Sequence, residues 1–226
     1  MIKNKALKIK KNSILPAKLK LWLVSKKINN PYADINDQYN AIFIHIPKNA
    51  GISIETALFN QKVGHKFLIA FKAHDQYKFS NYFKFSFVRN PYDRLLSAFF
   101  FMKKGGRNKT DQMWSQKNLS EIQTFQDFVL NLKSDSFAKK IMRWQHFRPQ
   151  LDYITDEKNN IALDYMGRVE TIESDIKKIQ SKLNLESISL GHLNKSQKVS
   201  KDYYNENLKD IVKKRYQKDF EQLGYY

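Results

Sequence analysis

Apolar positions in this chain fall into short runs separated by polar turns, and the runs carry two different periods. The run from Ala41 to Ile46 is cut off by Pro47. Phe83, Phe85 and Phe87 alternate with Lys84 and Ser86, the spacing of a strand. Ile54, Ala57 and Leu58 recur at helical spacing, as do Leu95, Leu96, Phe99 and Met102. The patterns predict strands at 41–46, 67–71, 83–89 and 162–168. They predict helices at 52–60, 91–103, 121–132, 137–147, 171–184 and 203–222. The last of these carries Leu208, Ile211, Val212, Tyr216 and Phe220 on a core-facing stripe. Gly105-Gly106 and the polar run to Gln116 read as a loop. Strands that alternate with helices predict an α/β fold, a single domain with a central parallel sheet and helices on both faces.

Residues 1–38 differ from the rest. Lys3 to Lys11 is a basic run, and Leu15, Leu19, Trp22 and Leu23 follow helical spacing around Pro16. This predicts a short basic amphipathic helix ahead of the main domain at 39–226. Such a helix packs on its own domain or lies on an anionic membrane surface.

Two strand-to-helix junctions carry candidate chemistry. The first is Pro47-Lys-Asn-Ala-Gly-Ile-Ser53, directly after the first strand. Loop N–H groups, a helix N-terminus and a lysine together suit phosphate. The triphosphate loop reads G-x-x-x-x-G-K-[ST], but here Lys48 precedes the glycine, Gly51. The second junction follows Phe87-Val88. Asn90 suits an N-cap and Pro91 the first helical position, which leaves Arg89 at the strand end. Arg94 and Ser97 lie three apart on the new helix and share a face. An arginine with a serine hydroxyl makes a second anion site.

This pair of segments resembles the two cofactor motifs of the carbohydrate sulfotransferase families, I-P-K-x-A-G-T-S and F-V-R-N-P-x-x-R-L-x-S. Downstream, His146-Phe-Arg-Pro-Gln150 resembles an R-P-Q segment, Met166-Gly-Arg-Val-Glu170 an I-G-R-x-E strand end, and His192-Leu-Asn-Lys-Ser196 an H-x-N-x-S element. The similarity runs in order over about residues 40 to 225. Two departures are Asn49 for a frequent threonine and Ile52 for a threonine or serine. The resemblance implies a P-loop-like sulfotransferase fold and 3'-phosphoadenosine 5'-phosphosulfate (PAPS) as donor, without a metal. It places Pro47, Lys48, Asn49, Ala50, Gly51, Ile52 and Ser53 on the 5' phosphate and Arg89 and Ser97 on the 3' phosphate. Arg168, Lys195 and Ser196 are further donor-binding candidates. Arg148 and Gln150, with His74 and Asp75, are candidates for holding a carbohydrate acceptor, such as a polysaccharide or lipid-linked glycan.

A sugar hydroxyl needs a general base. His45 lies inside the first strand and reads as a core residue, and His65 reads as solvated in a loop. His74 follows the run at 67–71, which is read as a strand, and ligands bind at strand ends in such sheets. Related glycan enzymes carry a catalytic histidine in this interval, so His74 is the expected base, with Asp75 as the alternative and His146 behind it. Lys48 is expected to meet the charge that builds on the leaving oxygen.

Composition narrows the alternatives. The chain has 226 residues and no cysteine, so there is neither a disulfide framework nor a thiolate metal site. Forty Lys and Arg against 22 Asp and Glu give a net charge of +18, which favours anionic partners. An anionic donor and an acidic glycan account for that balance as well as nucleic acid does. No nucleic-acid module is recognisable, and nucleotide kinases need the triphosphate loop that is missing. The run Leu21–Val24 is too short to span a bilayer or to serve as a signal-peptide core. A cytoplasmic bacterial protein is the simplest expectation, with peripheral contact at the inner membrane surface as the alternative.

Overall fold

The alternation in the isoleucine- and phenylalanine-rich runs sorts their side chains onto the two faces of a sheet. The structure, a computed structural model, describes residues 16–185 and 201–226. The strands are β1 (Ala41–Ile44), β2 (Phe83–Val88) and β3 (Tyr165–Arg168), all parallel, with β2 in the middle. Among the described residues the helices are α1 (Ala17–Lys27), α2 (Asp34–Tyr39), α3 (Gly51–Phe59), α4 (Leu68–His74), α5 (Gln76–Asn81), α6 (Pro91–Lys103) and α7 (Lys109–Leu119). They continue with α8 (Phe125–Asn131), α9 (Asp135–Ile141), α10 (Leu151–Ile154), α11 (Ile172–Lys182), α12 (Glu206–Arg215) and α13 (Gln217–Leu223).

Helices cover both faces of the sheet. Ile42, Ile44 and Val88 share one cluster with Phe71 of α4 and Leu95, Leu96 and Phe99 of α6. Phe43, Phe85 and Phe87 share the other with Ile54 and Leu58 of α3 and Ile172, Ile176 and Ile179 of α11. Burying these side chains on both sides of one sheet is the main source of stability. The register Ile44↔Ser86 and Val88↔Arg168 brings the C-terminal ends of all three strands to one edge. Open parallel sheets bind ligands at that edge. At the second junction Asn90 caps α6 by accepting from the Tyr92 N–H at 2.9 Å, and Pro91 follows.

Four expectations need correction. The run at 67–71 is not a strand but the start of α4. Five residues fit either period, and the decision comes from Leu68 and Phe71, three apart, both buried in the core. The face of α1 is also different. Leu21 and Val24 are buried in the helix that packs on α4, whereas Leu19 and Trp22 face solvent. The polar stretch after Gly106 folds as α7 from Lys109, with Asn108 as its cap. The tail forms two helices broken at Tyr216, whose buried hydroxyl donates to the Phe147 carbonyl at 2.6 Å. The basic run Lys3 to Lys11 and the element with His192, Lys195 and Ser196 lie outside the described residues. Among the described residues no helix is long and apolar enough to cross a membrane.

Helix α13 is stitched to α10 by a buried carboxylate. Asp219 accepts from the N–H groups of Gln150 at 2.7 Å and Leu151 at 3.2 Å. Burial outweighs these bonds and raises its pKa from 3.8 to about 6. Because the folded pKa lies above the unfolded one, this group's contribution to stability is full below pH 3.8 and is lost as pH rises through about 6. Urea denaturation across this window should show a component on the order of 3 kcal/mol with that sign. Asp219→Asn should remove that component, and parallel pH profiles for the two proteins would contradict the assignment.

Candidate functional site at the strand ends

The first loop is held in a conformation its residues do not favour. Lys48 has φ 73° and Ala50 φ 57°, left-handed values at non-glycine positions. Left-handed residues in such a loop turn neighbouring N–H groups to one side, which makes an anion-binding concavity. Ala50 has no side chain to cap α3, so the N–H groups of Gly51, Ile52 and Ser53 in its first turn have no intrahelical acceptor. Gly51 is required for another reason. A Cβ there would lie 2.0 Å from His45 Cδ2. The His45 ring cannot retreat easily, because its Nδ1–H donates to Glu55 Oε2 at 3.0 Å inside the protein. Burial pushes Glu55 up, but the bonds from His45 and the Val63 N–H outweigh it and hold its pKa below the usual value.

Side chains from distant segments tie the loop down. Asn49 is buried, and its Nδ2 donates to the Phe87 carbonyl at 2.8 Å and to Gln150 Oε1 at 2.7 Å. Arg94 is also buried. Its Nε donates to the Pro47 carbonyl at 3.0 Å, its Nη1 to the Arg148 carbonyl at 2.8 Å, and its Nη2 has no hydrogen-bond partner among the described residues. Arg89 Nη1 donates to the Lys48 carbonyl at 3.3 Å. Ser97 is half-buried on α6, one turn beyond Arg94. Ile52, at 46% exposed, stands at the mouth of the loop in place of a hydroxyl.

Lys48 sits with Nζ 3.9 Å from the centre of the Phe101 ring. Burial lowers its pKa to about 8, with the charges of Arg89 and Arg94 adding to the effect. The other edge of this corner is a cluster of imidazoles. His65 and His45 rings are 4.2 Å apart, and His65 and His146 rings 6.3 Å apart. His65 Nδ1 lies 3.1 Å from the His45 carbonyl, so this nitrogen carries the proton and Nε2 keeps its lone pair. Burial of the imidazole lowers the His65 pKa, with His45 and His146 adding to it, although the residue as a whole is exposed. His146 is buried against Phe101, and its Nε2 faces Asp111 Oδ1 at 3.4 Å. Burial lowers the His146 pKa, against the opposing pull of Asp111.

Several expected site residues lie elsewhere or act differently. His74 ends α4, not a strand, and its Nε2–H donates to the Ile28 carbonyl at 2.8 Å. Asp75 caps α5 by accepting from the Lys78 N–H at 2.8 Å. Neither is among the side chains gathered around Lys48. Gln150 is fully buried and its amide is consumed by Asn49 and Arg89, so it supports the site from beneath and does not face an acceptor. Arg148 lies over Phe67 and donates from Nη2 to the Arg143 carbonyl at 3.1 Å. Arg168 Nη2 donates to the Leu223 carbonyl at 2.7 Å, and its guanidinium lies over Tyr225. Sequence reasoning missed His65, Asp111 and the inward role of Arg94. Asn108, three before Asp111, was a legible cap signal for α7; nothing local marked His65.

A family model described as "Sulfotransferase family" matches residues 31–226. Among curated proteins and solved structures, nothing matches this chain.

The contact between Gly51 and His45 yields a direct test. Gly51→Ala forces the loop or the imidazole to move, which should cost about 1–3 kcal/mol in urea denaturation, the range of overpacked sites. Combining it with His45→Ala should recover part of that loss. A Gly51→Ala protein as stable as wild type would contradict the close packing.

Proposed function

Because the chain belongs to the sulfotransferase family, we propose that this sulfuryl-transferring enzyme uses PAPS as donor and a hydroxyl of a carbohydrate as acceptor. The observation that carries the donor reading is the tethering of the Lys48 loop to the end of β2, where Arg89 begins the second junction. The residues present fit a bisphosphorylated nucleotide. The loop offers N–H groups without intrahelical acceptors, and Arg94 offers a buried guanidinium nitrogen without a partner among the described residues. Residues 47–53 with Lys48 would hold the 5' phosphate, and Arg89 with Ser97 the 3' phosphate. The acceptor class rests on the likeness of the two motifs to the carbohydrate-directed families.

When bound, the donor supplies the sulfuryl group for in-line displacement, chemistry that depends on positioning and charge stabilisation. Lys48 contributes the charge. Its partly desolvated ammonium interacts more strongly with developing negative charge than a solvated one would. Phe101 touches both groups, with the Lys48 ammonium over its ring and the His146 ring 4.8 Å away. The proton of the acceptor hydroxyl goes to a histidine. His65 suits this role better than His74, because its Nδ1–H is fixed by the His45 carbonyl, which leaves Nε2 as the acceptor on an exposed residue, whereas His74 spends its Nε2 on the Ile28 carbonyl. A neutral His65 accepts that proton at Nε2, since Nδ1 already carries one.

A screen of glycan acceptors with radiolabelled donor should give labelled product, and Lys48→Ala should lower kcat by about 10²-fold or more. Turnover within a few-fold of wild type would contradict the role of Lys48. With the same acceptor, His65→Ala should abolish most transfer while His74→Ala retains most of it. The imidazole of His65 should titrate below the ordinary 6.5 in an NMR pH series on the free enzyme. The reverse ranking of the two variants would return the base to His74.

A further inference from the structure

The side chain of Gln150 is the point at which the two halves of the candidate site meet. It is fully buried. Its Oε1 accepts from the Arg89 N–H at 3.0 Å and from Asn49 Nδ2 at 2.7 Å, and its Nε2 donates to the Arg89 carbonyl at 2.8 Å. The amide therefore pairs with the backbone of Arg89 much as an adjacent strand would, donating once and accepting once. Asn49 gives its second hydrogen to the Phe87 carbonyl at 2.8 Å. Phe87 and Arg89 are two apart on an extended chain, so their backbone groups point to one side. Asn49 and Gln150 thus extend the hydrogen bonding of β2 past its last paired residue. The backbone of Gln150 is itself held by Asp219 at 2.7 Å.

We propose that Gln150, acting through Asn49, is a positioning residue that sets the spacing between a 5'-phosphate subsite on the loop and a 3'-phosphate subsite at Arg89. The inference rests on the bisphosphate-donor reading given above. Few side chains can replace it. A carboxylate cannot donate to the Arg89 carbonyl, and an apolar side chain of similar length leaves buried groups of Asn49 and Arg89 unpaired, which is costly. Rigid spacing matters for a ligand with two charged groups. When both subsites are held at the ligand's own separation, the second contact forms without a further ordering cost.

The test is calorimetry with three probes, adenosine 5'-monophosphate, adenosine 3'-monophosphate and adenosine 3',5'-bisphosphate, on wild type, Gln150→Met and Asn49→Ala. Wild type should bind the bisphosphate far more tightly than either monophosphate. Gln150→Met should weaken the bisphosphate by about tenfold or more, and each monophosphate by less than about threefold, since coupling between subsites is lost and not the subsites themselves. Asn49→Ala, which cuts the link to the loop while keeping the pairing of Gln150 with Arg89, should show the same pattern, and it decides the matter if Gln150→Met does not fold. Equal losses on all three probes, or no loss, would overturn the positioning role. A wild-type protein with no preference for the bisphosphate would overturn the donor reading and this inference together.

Discussion

The site depends on holding a strained loop against the end of a central strand. Left-handed backbone at Lys48 and Ala50 costs on the order of 1 kcal/mol or more per residue and persists only where the surroundings fix it. The surroundings here are side chains from remote segments. Asn49 reaches β2, Arg94 reaches back from α6 to the Pro47 carbonyl, and Gln150 joins Asn49 to Arg89. The parallel pairing of β1 with β2 makes this possible, because it sets the two junctions side by side at one edge. Burial of phenylalanine and isoleucine on both faces of the sheet supplies the rigidity that the loop borrows.

Electrostatics gives the same corner its preference for anions. Lys48, Arg89 and Arg94 are close enough to depress the lysine pKa after burial has done most of it. Like charges so placed repel one another until a negative ligand arrives. The carboxylates nearby offset only part of this charge: Asp93 and Glu170 act on Arg89 and Asp111 on Lys48, and most also hold other partners. Glu55 is bound to His45, Asp111 faces His146, and Glu170 accepts from the Asn90 N–H at 2.7 Å and from the Tyr225 hydroxyl at 2.9 Å. The overall charge of +18 extends this preference beyond the site.

Much of this was legible locally. Apolar period and the Asn90-Pro91 cap marked β1, β2, α3 and α6, and the order of lysine and glycine in the loop separated it from triphosphate loops. The run at 67–71 was ambiguous because five residues satisfy both periods, and packing on α1 and the core decided for a helix. That misreading carried His74 to a strand end it does not occupy. His65 gave no signal, since its neighbours His45 and His146 are 20 and 81 positions away along the chain. The supporting role of Gln150 was equally hidden: its partners Asn49 and Asp219 lie on opposite sides of it in sequence, and only the folded chain brings them together.

A crystal structure with adenosine 3',5'-bisphosphate tests the central claim most directly. The 5' phosphate should lie on the N–H groups of residues 47–53 with the Lys48 ammonium in contact, and the 3' phosphate should lie against Arg89 and Ser97. The His65 imidazole should remain bonded to the His45 carbonyl through Nδ1. A nucleotide bound away from both junctions, or one whose 3' phosphate makes no contact with Arg89, would contradict the claim.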